Sequence, residues 1–167
     1  MTRTLILIRH GKSDWANAQL SDFDRPLNAR GDKNAPEMAA RMLTKKQIPE
    51  LILSSPALRA ASTAKHFTKV WKKNPEEIQF EADIYEANTT NLLNIVNSVN
   101  NDYNKVALFG HNPGLTDFAN YLSDGNIYNI PTSGVVFIEF DTNSWSEISY
   151  HTGRLIDFDY PKRTEEN

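Results

Sequence analysis

Cysteine is absent from the 167 residues, which excludes disulfides, thiolate nucleophiles and thiolate metal sites. Long apolar runs are absent too, and nothing approaches the roughly 20 residues that a membrane helix needs. The N-terminal run Leu5-Ile6-Leu7-Ile8 is short and meets Arg9 at once, which does not suit a signal peptide. An excess of positive charge is also missing. The formal charge of −3 offers no general attraction to nucleic acid or to an anionic membrane. Any anion site must therefore be a local concentration of cations. No two histidines stand at i, i+4 beside carboxylates, so no metal site is expected. Repeats and low-complexity tracts are lacking. These absences lead us to expect a cytoplasmic protein of one domain over residues 1–167, with no cofactor and no nucleic-acid or membrane partner.

What is present is an alternation of strand and helix signals. Thr4–Ile8 is a continuous apolar run, as in a strand buried on both faces. A polar stretch from Lys12 to Arg30 reads as a long functional loop. Gly31 to Gln47 has helical spacing, Leu51-Ile52-Leu53 is a second strand, and a helix follows to about Lys73. Ser54-Ser55-Pro56 supplies that helix with a capping serine and an early proline. A short strand over Ile78–Phe80 and a helix from Leu92 to Val99 come next. Val106–Phe109 is a third buried strand, and Asn112-Pro113 opens a helix reaching Leu122. Val135–Phe140 and Glu147–His151 read as a closing hairpin of edge strands, and the tail from Lys162 as frayed. Such alternation predicts a three-layer α/β/α sandwich around a mostly parallel sheet.

Three strand ends carry the chemistry. Arg9-His10-Gly11 follows the first, Ser54 to Arg59 the second, and His111 the third. Parallel strands bring their carboxyl ends to one edge, where open α/β sheets bind ligands. Arg59 falls in the first turn of its helix, where free amides favour an anion. Two guanidiniums and two imidazoles suit phosphoryl transfer through a phosphohistidine. Neutral His10 serves as nucleophile, Arg9 and Arg59 grip phosphate oxygens, and His111 adds a donor. Glu86, in the loop after Ile84, is the candidate acid.

These residues resemble the signature of the histidine phosphatase superfamily, the phosphoglycerate-mutase-like fold. The resemblance is carried by Arg9-His10-Gly11, by Ser54-Ser55-Pro56 with Arg59 and Thr63, and by Gly110-His111-Asn112-Pro113-Gly114. More narrowly, Lys12-Ser13-Asp14-Trp15, Asp24-Arg25-Pro26-Leu27 with Gly31, and Pro131-Thr132-Ser133-Gly134 are similar to SixA-type phosphohistidine phosphatases. The resemblance implies His10 as nucleophile, Arg9 and Arg59 as phosphate ligands, and His111 as the second histidine. It implies Glu86 as the acid, in a loop where SixA-type members vary.

Only a helix and a strand fit between Glu86 and His111, which leaves no room for a lid. An open site suits a phosphoryl group displayed on a protein. The expected activity is metal-independent hydrolysis of protein phosphohistidine. A small phosphoester or phosphoanhydride as substrate, or a non-catalytic phosphoprotein-binding module, stand as alternatives. Gly11, Ser13 and Arg25 are candidate substrate-binding residues, although Arg25 equally suits a loop salt bridge with Asp22 or Asp24. His66 and His151 read as ordinary polar residues, and Lys45-Lys46 and Lys72-Lys73 as helix-terminal cations. Oligomeric state has no sequence signal.

Overall fold

The strands alternate faces, and that alternation builds the layers. The computed structural model describes residues 1–163. Its elements are β1 (Thr2–Arg9), α1 (Ala29–Thr44), β2 (Leu51–Ser54), α2 (Leu58–Val70) and β3 (Ile78–Phe80). They continue with α3 (Thr89–Asn97), β4 (Lys105–Gly110), α4 (Gly114–Leu122), β5 (Val135–Asp141) and β6 (Gly153–Asp159). Leu5 and Leu7 of β1 face α3 and α4, in a cluster with Leu108, Leu92 and Phe118. Ile6 and Ile8 face α1 and α2, in a cluster with Phe109, Met38 and Phe67. Both faces of the sheet are thereby covered, which explains why the central strands read as unbroken apolar runs. The result is a three-layer α/β/α sandwich.

The sheet order is β3-β2-β4-β1-β5-β6. β1 to β4 run parallel, and β5 and β6 are added antiparallel. β1, β4 and β2 are immediate neighbours, with Arg9 opposite Gly110 and Ser54 opposite Phe109. Their carboxyl ends are level to within a residue. At the opposite end Arg3 is buried, and it donates to the carbonyls of Tyr103 and Asn143 while lying over the Trp145 ring.

Several boundaries differ from the sequence expectation. α1 begins earlier, at Ala29, because the Asn28 side chain caps it by accepting the Gly31 amide. α2 begins later, at Leu58, and neither Ser54 nor Ser55 caps it. The Ser55 hydroxyl instead accepts the Ala57 amide, and the Leu58 amide goes to the Phe23 carbonyl of the long loop. α4 begins at Gly114, with Pro113 rather than Asn112 at the capping position, and Asn112 Oδ1 accepts from the Thr116 amide and hydroxyl one turn in.

The closing hairpin is the largest correction. β5 lies inside the sheet, between β1 and β6, and the last strand is Gly153–Asp159. Glu147–His151 is a tethered loop. Trp145 is buried with its indole N–H on the Tyr103 carbonyl, and Asn97 donates to the carbonyls of Trp145 and Ile148. Those side-chain bonds hold the segment against α3. The lysine pairs lie just past α1 and α2, where Lys46 and Lys72 adopt positive φ. Lys45 joins Asp157 and Asp159. Of the tail expected to fray, Lys162 and Arg163 form an ordered turn, with Arg163 on Asp157. Positions 164–167 lie outside the described residues.

Gly31 seats α1 against the loop that leaves β1. A Cβ there would run into the Lys12 carbonyl. Helix propensity alone makes Gly31→Ala stabilising by about 1 kcal/mol. The clash reverses that sign, and we expect a net loss of about 1–3 kcal/mol by urea unfolding. An unchanged or raised midpoint would show that this contact relaxes freely.

Candidate active site

The backbone ladder continues past the strand ends and fixes the site's floor. The His10 amide donates to the Gly110 carbonyl at 3.1 Å, and the Ser55 amide to the Phe109 carbonyl at 3.0 Å. The Ser133 amide is shared by the carbonyls of Arg9 and His10, both at 3.1 Å. Ser133 holds a positive φ of 61° to do this. The Gly11 amide donates to Thr63 Oγ1 at 2.9 Å, and that hydroxyl donates to the Arg59 carbonyl at 2.7 Å. One threonine therefore couples the turn after β1 to the first turn of α2.

Arg9, His10, Arg59 and His111 meet here, as their strand ends predicted. The rings of His10 and His111 lie 5.1 Å apart, and Arg59 Nε approaches His10 Nε2 at 3.4 Å. His10 Nδ1 is 2.7 Å from the Gly11 carbonyl. A carbonyl only accepts, so Nδ1 carries the proton and Nε2 keeps its lone pair toward Arg59. His111 Nε2 is 2.8 Å from the Ser55 hydroxyl, and its buried Nδ1 has no hydrogen-bond partner among the described residues. Arg9 gives one N–H to the Ile130 carbonyl, at 2.8 Å, and its buried Nε is likewise unpaired.

Burial sets the protonation states. His10 is pushed down to about 4, chiefly by desolvation, with Arg59 and Arg9 adding to the shift against the Gly11 carbonyl. His111 is pushed down to about 3, by desolvation first and by His10 next. Arg9 is lowered by burial and by Arg59. At neutral pH the pocket therefore presents two neutral imidazoles between two guanidiniums.

Asp22 is the residue that sequence reasoning missed. Its carbonyl accepts Arg59 Nη1 at 2.6 Å, and its carboxylate accepts Arg59 Nη2 at 2.9 Å and the Tyr85 hydroxyl at 2.7 Å. The Tyr85 hydrogen bond and Arg59 hold that carboxyl below its ordinary value, and the same bond raises Tyr85 to about 12. From the sequence Asp22 suggests no more than an ion pair with Arg25. That pair exists at 3.9 Å, and Asp24 is instead bonded by Ser21. Nothing in the loop's aperiodic polar sequence distinguishes Asp22 from its neighbours.

The remaining candidates divide. Gly11 is buried at the center of the site. Arg25 is buried beneath Trp15, its guanidinium 3.6 Å from the indole ring, with Nη1 on the Asp14 carbonyl. Ser13 is buried in a backbone bridge to Leu27, and its hydroxyl makes no hydrogen bond to the four central residues. Glu86 is exposed, holds a positive φ of 55°, and forms no hydrogen bond or ion pair among the described residues. His66 pairs with Asp32, and exposed His151 stacks on Tyr150, both away from the cluster.

The depressed histidines have a measurable consequence. Above the ordinary value of 6.5 both rings are neutral whether the chain is folded or not. As pH falls from there toward about 4, the unfolded chain takes up protons that folded His10 refuses, so folding stability declines. Urea midpoints should fall between pH 7 and pH 5, and fall less in His10→Gln. Equal slopes in both proteins would show that His10 titrates normally in the fold.

Comparison with known proteins agrees with this geometry. Residues 5–116 match the histidine phosphatase superfamily (branch 1). An uncharacterized chloroplastic protein of Arabidopsis thaliana is 30% identical over 155 residues, covering 88% of this chain and 71% of the relative. SixA from Agrobacterium tumefaciens, a candidate phosphohistidine phosphatase, has 27% identity and a TM-score of 0.80, covering 95% of this chain and 98% of that one. A protein histidine phosphatase SixA solved with tungstate shares the fold, with 21% identity and a TM-score of 0.78 over 95% and 97% of the two chains. A mycobacterial glucosyl-3-phosphoglycerate phosphatase shares it more loosely, with 14% identity and a TM-score of 0.66 over 93% and 98%. With two thirds of its length matched to the family model, the chain belongs to the histidine phosphatase superfamily and is a phosphatase whose fold is similar to that of SixA over nearly its full length.

Proposed function

We propose that this phosphatase hydrolyses phosphohistidine on a protein, without a metal ion, through a phosphoryl intermediate on His10. The observation that carries the proposal is the orientation of His10. The Gly11 carbonyl holds its Nδ1 proton and leaves Nε2 unprotonated, its lone pair accepting only a long 3.4 Å hydrogen bond from Arg59 Nε. Nε2 attacks phosphorus in line, forming a nitrogen–phosphorus bond as the substrate's own nitrogen–phosphorus bond breaks. The departing imidazole leaves as a neutral ring when its other nitrogen is protonated. Water then attacks phosphorus, the bond to His10 breaks, and inorganic phosphate is released.

Donor counting supports the phosphate roles. An arginine carries five N–H groups. Arg59 uses three of them, on His10 and on the carbonyl and carboxylate of Asp22, so one remains on each Nη. Arg9 commits one to Ile130. The remainder, with the Nδ1–H of neutral His111 in the tautomer whose Nε2 accepts from the Ser55 hydroxyl, matches the equatorial oxygens of a phosphoryl group. Asp22 acts as a positioning residue, because it fixes the Arg59 fork while Tyr85 fixes Asp22. Glu86 sits outside this network, which suits a substrate whose leaving group makes little demand on an acid.

The test is phosphate release from a protein phosphorylated on histidine with phosphoramidate, and from p-nitrophenyl phosphate, each with chelator present. Wild type should act on both and favour the protein. His10→Ala should lose at least about 10⁴-fold in kcat while keeping its fold. Turnover of the aryl ester alone would move the assignment to a small phosphoester. Glu86→Gln should slow an alkyl phosphate more than the aryl ester, because a phenolate leaves with little protonation. Equal losses on both esters would remove Glu86 from the acid role.

A further inference from the structure

Beside the site lies a basic groove that the phosphoryl chemistry does not use. Lys12, Arg30 and Lys162 line a depression of about 240 Å³, walled by Pro131 and Pro161. It runs into a second depression of about 450 Å³ along the first turns of α1, where Arg30 and Lys162 recur and Lys33 joins them. All four cations are exposed, and none forms an ion pair among the described residues. Glu37, at the far end, is the single acid among the lining residues. The neighbouring cations Arg41, Lys45 and Arg163 behave differently, since Asp157 and Asp159 pair with all three. In a chain of net charge −3, four neighbouring cations with no ion pair among the described residues are a local reversal of sign.

The groove is joined to the site through the backbone. Lys12 follows Gly11, and the Lys12 carbonyl accepts the Asn28 amide at 2.9 Å just before α1. On the other wall Thr132 precedes Ser133, whose amide holds the Arg9 and His10 carbonyls. A polypeptide whose phosphoryl group reaches His10 and whose chain leaves past Lys12 and Thr132 would meet these cations.

We infer that this groove seats an acidic segment of the phosphoprotein substrate, flanking its phosphorylated residue, an inference that rests on the phosphohistidine-protein reading. Such a segment matches the groove in charge, and exposed pairs of this kind act mainly on encounter and on KM. Half-buried Tyr160 is the single aromatic side chain among the lining residues, whereas single-strand nucleic-acid sites stack successive bases on several rings.

The test uses the full chain and two synthetic phosphohistidine peptides, one followed by four glutamates and one by four serines. Wild type should show a KM about tenfold lower for the glutamate peptide, with the difference shrinking in high salt. The variant R30E/K33E/K162E should lose that preference and keep its kcat on p-nitrophenyl phosphate. Equal KM values in wild type, or a preference retained in the variant, would overturn the groove. Hydrolysis of neither peptide beside normal ester turnover would overturn the phosphohistidine reading instead. The groove is then decided by the unphosphorylated glutamate peptide as inhibitor of ester hydrolysis. Inhibition of wild type and not of the variant supports an acidic-segment site, and inhibition of neither overturns it. Stronger inhibition by a single-stranded oligonucleotide would overturn the choice of a protein occupant.

Discussion

The parallel register of β1, β4 and β2 is the constraint on which the rest of this structure depends. Pairing Arg9 with Gly110 and Ser54 with Phe109 brings three chain segments to one edge at one height. The same ladder then runs one residue further, through the amides of His10 and Ser55. Backbone hydrogen bonds of this kind tolerate little slip, because a shift of one residue would exchange Leu5 and Leu7 with Ile6 and Ile8 between the two packed clusters. The two aliphatic clusters above and below the sheet thus stabilise the position of His10 as much as they stabilise the fold.

That rigid edge carries an electrostatic burden. Arg9, His10, Arg59 and His111 crowd positive charge and positive potential into a poorly solvated pocket, and the structure answers in three ways. Both histidines give up their protons. Arg59 is tied by Asp22, the only carboxylate bonded to the cluster among the described residues. Arg9 and His111 keep buried nitrogens unpaired, an arrangement that costs folding free energy and is commonly found where a ligand completes the bonding. Stability is given up at the strand ends and recovered in the core.

Much of the scaffold was legible because its signals are short in range. Continuous apolar runs marked β1, β2 and β4, helical spacing marked α1 to α3, and the strand-end positions of Arg9, His10 and His111 marked the site. Where reading failed, the deciding contacts were distant in sequence. Glu147–His151 alternates like a strand, yet Trp145 and Ile148 are held by Asn97 and Tyr103, more than forty positions earlier. Ser55 looked like a cap, yet its hydroxyl turns toward Ala57 and His111. Glu86 reads as the candidate acid and Asp22 as no more than an ion-pair option for Arg25, yet the docking of the long loop onto α2 and Tyr85 brings Asp22 to Arg59 and leaves Glu86 outside the network.

The sequence by itself determined the layered α/β architecture and the four residues at its carboxyl edge, because apolar periodicity and strand ends are properties of neighbouring residues. Tertiary structure alone decided that Asp22 holds Arg59, that the Gly11 carbonyl orients His10, and that Lys12, Arg30, Lys33 and Lys162 share one groove. Those arrangements depend on how loops with no period of their own settle on the finished sheet. Their hydrogen bonds and charges acquire partners only once the core has brought remote segments together.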